Sequence, residues 1–140
     1  MNLEKFTDRA KGFLQAAQTV AIRMNHQRIS PAHLLKAMIE DSEGMASGLI
    51  ARAGGQPRMV EDDLDAALAK TPAVTGGGAQ ATPGLDNDAV RVLDQAEQIA
   101  QKSGDSYVTV ERLLVALALA TTTSAGQALK AGQVDPAKLE

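Results

Sequence analysis

One stretch of this chain occurs twice, and that duplication limits the possible folds more than any other feature. His26-Gln27-Arg28-Ile29-Ser30-Pro31-Ala32-His33-Leu34-Leu35 matches Asp105-Ser106-Tyr107-Val108-Thr109-Val110-Glu111-Arg112-Leu113-Leu114 at an offset of 79 positions. The same offset holds upstream, in Phe6/Leu85, Ala10/Ala89, Phe13/Val92, Leu14/Leu93, Ala17/Ala96, Val20/Ile99 and Ala21/Ala100, and downstream in Ala37/Ala116 and Met38/Leu117. From residue 6 to 38 no gap is needed, and the identical pairs are all Ala or Leu at helical spacing. The chain is therefore a duplicated helical unit.

The spacing of caps and breakers divides each copy into helices. Thr7 opens a helix whose apolar face is Phe6, Ala10, Phe13, Leu14, Ala17, Val20, Ala21 and Met24, and Asn25 ends it in a left-handed turn. Ser30-Pro31 reads as N-cap and first residue of a second helix, to about Glu40. A third runs from about Glu43 to Gly54-Gly55, and a fourth from Pro57 to Lys70. In the second copy Asp86 caps a helix to about Ser103 with Gly104 behind it, and Thr109 caps the next, to about Ala120. Ser124–Ala131 forms a short one, and Asp135-Pro136 opens a last helix cut short at Glu140. Repeat 1 thus covers about 6–70 and repeat 2 about 85–140, within one domain spanning 1–140. Residues 71–84, with Gly76-Gly77-Gly78, have linker composition; no Gly-Lys-Ser/Thr follows that would make them a phosphate loop.

A core from 140 residues with two Phe, one Tyr and no Trp has to be close-packed aliphatic helix. A net charge of −3 without a dense basic run argues against nucleic acid or an anionic membrane as partner. Absence of cysteine fits a reducing compartment, and Met-Asn-Leu-Glu-Lys-Phe has no signal-peptide pattern, so the expectation is a cytoplasmic chain.

Signs of chemistry are sparse. His26 and His33 lack partners at ligand spacing, so surface or capping roles are expected rather than metal binding. The run Glu61-Asp62-Asp63-Asp65 reads as a solvated helix start. No nucleophile set or carboxylate dyad assembles, so these residues are not expected to be an enzyme. The helix 109–120 is apolar around nearly its whole circumference. It is either a central helix buried on all sides or one strip of it is left as a groove for a peptide.

The double repeat, the opening Phe6-Thr7-Asp8-Arg9-Ala10, and above all Gly104-Asp105-Ser106-Tyr107-Val108-Thr109-Val110-Glu111-Arg112-Leu113-Leu114 resemble the Clp N-terminal domain. Ala67-Leu68-Ala69-Lys70-Thr71-Pro72-Ala73-Val74 is similar to the inter-repeat segment of the ClpB-type disaggregase branch. The resemblance implies an all-α fold of two pseudo-symmetric four-helix repeats, placed ahead of two ATPase modules in a homohexamer. It implies that the domain binds unfolded or aggregated protein segments without chemistry of its own. ATP, Mg and cooperation with the DnaK chaperone system would belong to the full-length machine, with the domain itself a monomer and no cofactor held in it. The alternative within the family is a domain that docks adaptors for a protease-linked ClpA/ClpC-type unfoldase.

Carried over by resemblance, the polar client-binding residues are Thr7, Asp105 and Glu111, and the apolar groove residues Leu93, Ile99, Tyr107 and Val108. Two departures bear on this. Ala32 stands where relatives usually carry Glu, so only the second repeat keeps the acid, and Gln95 and Arg112 are more polar than their counterparts in relatives.

Overall fold

Side-chain oxygens at the helix starts and positive-φ residues behind the helix ends set the element boundaries. The computed structural model describes residues 3–73 and 82–139. Its helices are α1 (Asp8–Arg23), α2 (Pro31–Glu40), α3 (Met45–Arg52), α4 (Pro57–Lys70), α5 (Asn87–Lys102), α6 (Val110–Leu119) and α7 (Ser124–Ala131). Thr7, Asp86, Thr109 and Thr123 each accept a hydrogen bond from the backbone N–H three residues on, supplying partners to donors that a helix start leaves free. Asn25 (φ 60°) and Gly104 (φ 77°) end α1 and α5 in the left-handed region, as the sequence predicts.

The offset of 79 extends through both copies. α1, α2 and α3 recur residue for residue as α5, α6 and α7, and Pro57 corresponds to Pro136, which opens a 3-10 turn, Pro136–Leu139. The fold is all-α with two pseudo-symmetric halves. Two boundaries differ from the sequence reading. α3 starts two residues later than expected, because Gly44 sits in the left-handed region (φ 68°) and holds Glu43 outside the helix. Most of the expected linker, including the three glycines and Val74, lies outside the described residues.

The halves exchange parts rather than simply abutting. Residues β1 (Arg28–Ile29) pair in parallel with β2 (Gly84–Leu85), Ile29 opposite Leu85. At the corresponding place across the pseudo-two-fold, Phe6 bridges in parallel to Val108. The Val108 N–H donates to Lys5 O at 2.7 Å and the Thr7 N–H to Val108 O at 3.0 Å; the Asp86 N–H donates to Ile29 O at 2.9 Å. The segment before the first helix of each repeat is thus stitched to the turn of the other repeat. At the far end α4 packs on α7, where the Gln56 N–H donates to Gly132 O and a Cβ on Gly132 would lie 2.2 Å from Val60 Cγ2. Val134 in turn closes over Gly55.

The core lies between the second helices of the two repeats. Pro31 to Met38 of α2 are buried without exception, and so are Val110 and Leu113 to Ala118 of α6. Of the two readings of helix 109–120, the buried central helix is the one observed: apart from the polar Glu111, only its last residue, Leu119, is exposed. Lys36, nearly buried on α2, is clamped by Glu61 (3.1 Å) and Asp65 (2.8 Å) of α4. Burial alone would lower its pKa, but the hydrogen bonds to Asp65 and Glu61 outweigh that and hold it above the ordinary value. The acidic run on α4 is therefore a tie between helices, not merely a solvated start. Among the described residues no helix is long and apolar enough to cross a membrane.

Candidate functional site

The residues singled out from the sequence fall around the junction of α1, α5 and the turn before α6. Thr7 is half-buried; its Oγ1 accepts the Ala10 N–H at 3.2 Å and its own N–H is bound to Val108, so capping and cross-repeat stitching both use it. Asp105 begins the turn, held by its N–H donating to Ala100 O. Its Oδ2 accepts from Arg112 Nε at 2.8 Å, so part of its charge is already neutralised. Glu111 is exposed on the first turn of α6, where the helix dipole favours a carboxylate.

The apolar residues divide sharply. Tyr107 is 56% exposed, the most exposed large hydrophobic side chain among the described residues. Ile99 is partly buried against the core. Leu93 and Val108, expected to wall the groove, are sealed at 0% and 2% exposure. Leu93 belongs to the inward face of α5 with Ala89, Val92, Ala96 and Ala100, and Val108 is the bridge partner of Phe6, itself in the core. Neither can touch a ligand without opening the domain. A shallow cavity of about 150 Å³ brings together Asp105, Ser106, Tyr107 and the backbone around Val108 with Lys5, Glu97 and Gln101.

The offset of 79 pairs this cavity with a second one in the other repeat. On the opposite side of the domain a larger cavity, about 430 Å³, is lined by His26, Arg28, Ala32 and Asp86 among others. At the offset of 79 these are the counterparts of Asp105, Tyr107, Glu111 and Thr7. Thr7 and Glu111 do not themselves line the Tyr107 cavity, and the same backbone has been given different chemistry in the two repeats.

The internal pairs make the point. His26 Nδ1 and His33 Nε2 are 2.7 Å apart, in the place that Asp105 and Arg112 occupy in the second repeat. Both imidazoles are buried, at 6% and 1% exposure, which corrects the surface role expected of them, while the capping role holds for His33 at the start of α2. The Ser30 N–H donates to His33 Nδ1 at 2.8 Å, so the proton of His33 sits on Nε2 and is donated to His26. Burial, and then the neighbouring His26, lower the His33 pKa from 6.5 to about 4. Burial raises the pKa of Asp86 in the same cavity, against the opposing effect of the Ala89 N–H.

Sequence reasoning missed Glu97. Its counterpart Gln18 donates from Nε2 to Pro83 O at 3.3 Å; a carboxylate has no proton to donate there. Glu97 Oε1 is buried without a hydrogen-bond partner among the described residues, at the wall of the Tyr107 cavity. The offset in the sequence was the only available signal, and it required knowing what Gln18 holds.

The fold is an all-α double repeat of the Clp type. The family model for the Clp repeat (R) N-terminal domain matches residues 5–132, and the chain belongs to that family. Chaperone protein ClpB of Rhodopseudomonas palustris is 50% identical over 139 residues, which is 99% of this chain and 16% of that protein. The Hsp104 N-terminal domain from Candida albicans superposes with a TM-score of 0.80 at 24% identity, covering 96% of this chain and 86% of that one. The N-terminal domain of the caseinolytic protease associated chaperone ClpD from Arabidopsis thaliana gives 0.69 at 20% identity, covering 99% and 94%. At such identities the two structures carry the fold alone. The chain spans about a sixth of the length of the ClpB relative, and the matched region is the N-terminal domain rather than the ATPase module.

Proposed function

We propose that this domain captures unfolded or aggregated protein segments for a ClpB-type, ATP- and Mg-dependent disaggregase, a cytoplasmic homohexamer that works with the DnaK system. The observation that carries the reading is Tyr107, exposed in a shallow cavity beside the carboxylates of Asp105 and Glu97; Thr7 and Glu111 are assigned to its rim as part of this proposal. Apolar client side chains would pack on Tyr107 and the exposed part of Ile99, at roughly 25 cal/mol per Å² before the entropic cost of ordering the chain. Glu111, Glu97 and the partly neutralised Asp105 would attract flanking Lys or Arg, an effect that salt weakens. The small area predicts weak binding, which suits a client that has to be released to a motor. The domain performs no chemistry in this reading, and the sealed Val108 supports the wall of the site from behind.

The test pairs affinity for a permanently unfolded protein with thermal stability, in Tyr107→Ser, Glu111→Gln, Asp105→Asn and Thr7→Ala. Tyr107→Ser should weaken binding severalfold at unchanged Tm, and Glu111→Gln should do so while losing no more than the about 0.3–1 kcal/mol that its charge contributes at the start of α6. Thr7→Ala should cost about 1 kcal/mol of stability through the lost cap. If Tyr107→Ser and Glu111→Gln bind as the parent does, the assignment fails. Tight binding of a small folded adaptor, with none of unfolded chains, would favour adaptor docking instead.

A further inference from the structure

Both repeats carry a groove where the first helix runs beside the C-terminal end of the second, and the two grooves have diverged. Between α5 and α6 it holds about 340 Å³, with Arg91 and Gln95 standing in it. Between α1 and α2 it opens to about 690 Å³, and the corresponding residues are Gly12 and Ala16. A Cβ on Gly12 would meet nothing within 4 Å, so packing does not ask for a glycine there. In mid-helix it nevertheless costs about 1 kcal/mol relative to alanine.

The acidic end of the groove is equally unfavourable on local grounds. Glu40, Asp41 and Glu43 stand where the second repeat has Leu119, Ala120 and Thr122. Glu40 is the last residue of α2 and Asp41 its C-cap, at the negative end of the helix dipole, where a carboxylate is disfavoured by about 0.3–1 kcal/mol. Arg23 pairs with Glu40 and Arg9 with Glu43, but Arg9 reaches Asp41 only at 3.8 Å. Asp41 Oδ2 is buried without a hydrogen bond among the described residues. Three local costs meet in one groove and are absent from its twin, the pattern expected where a site is kept for a ligand.

We propose that the α1/α2 groove is a second docking station for non-native polypeptide, taking an apolar segment that carries a Lys or Arg. The peptide backbone passes over Gly12, its apolar side chains rest on Ala16 and the small exposed edge of Phe13, and its cation joins the exposed part of the Asp41 carboxylate, whose side chain is 21% accessible. Counting Asp8, Arg9 and Arg23 with the three acids, the lining is net negative, which complements that cation. The groove begins at Asp8, next to Thr7, whose N–H is bound to Val108 O in the turn that carries Tyr107. The proposal rests on the reading that the domain engages unfolded chains, but on a different surface.

The experiment titrates a fluorescein-labelled peptide of Leu and Val with one central Lys into the 140-residue chain and its variants. Gly12→Arg with Ala16→Gln grafts the second repeat's residues onto α1; both are good helix formers, so Tm should hold or rise. Kd should increase about tenfold in that double variant and severalfold in Asp41→Asn. In the parent and in Glu111→Gln alike, the amide resonances of Gly12, Ala16 and Asp41 should shift with peptide. Unchanged affinity in the double variant, or shifts confined to Ser106 and Tyr107, overturns the proposal while leaving the Tyr107 site standing. Equal binding of a peptide with Glu in place of Lys overturns the assigned chemistry. Self-association of the parent that the double variant abolishes overturns it in favour of a second copy of this chain.

Discussion

Acidification should destabilise this domain through one imidazole. Folded His33 is held at a pKa of about 4 against 6.5 when unfolded, because it is buried and lies against His26; its Nδ1 accepts the Ser30 N–H. A protonated His33 would turn a second donor toward that N–H. The unfolded chain therefore binds the proton first. The contribution to stability is complete above pH 6.5, falls as pH drops through that value, and stops falling below the folded pKa. At 1.36 kcal/mol per pH unit the whole span amounts to about 3 kcal/mol, of which about 2 kcal/mol is lost by pH 5. Urea unfolding at about pH 7.5 and pH 5 measures it, with His33→Gln as reference, since the glutamine carbonyl can accept the Ser30 N–H without titrating. The parent should lose about 2 kcal/mol more than the variant between the two conditions. Equal losses, or an NMR titration placing folded His33 near 6.5, would refute the reasoning.

Gly126→Ala should destabilise severely, by about 3 kcal/mol or more in a urea titration, because its Cβ would lie 2.0 Å from the Ala120 carbonyl oxygen. Replacing Glu61 and Asp65 together by Gln and Asn strands the nearly buried Lys36 and should cost about 1–2 kcal/mol, discounted because both acids are partly exposed. Lys36→Met in the same background should recover most of that loss, read as Tm in differential scanning calorimetry.

Much of the architecture is visible in the sequence because its signals are local or periodic. Thr7, Ser30, Asp86 and Thr109 sit where helix starts need caps, and Asn25 and Gly104 where the chain has to turn left-handed. The exchange between halves is not visible. A two-residue strand and a one-residue bridge have no periodicity to detect, and their partners are far apart in the chain. The candidate site was legible in part. Exposure of Tyr107 and Glu111 accords with their places in a turn and on the polar side of a helix start. Leu93 misled because it was judged by correspondence with relatives; the spacing of Ala89, Val92, Leu93, Ala96 and Ala100 already put it on the inward face. Glu97 and the open groove at Gly12 emerge only when the two repeats are overlaid, since each is a difference between equivalent positions rather than a pattern in itself.

The central claim is that non-native protein binds at the acid-edged Tyr107 site, and an amide shift map of the isotopically labelled chain titrated with a permanently unfolded protein tests it most directly. The account predicts fast-exchange shifts at Ser106, Tyr107, Glu111 and Thr7 that shrink as salt is added. A titration that leaves all four resonances unmoved at saturating unfolded protein would contradict it.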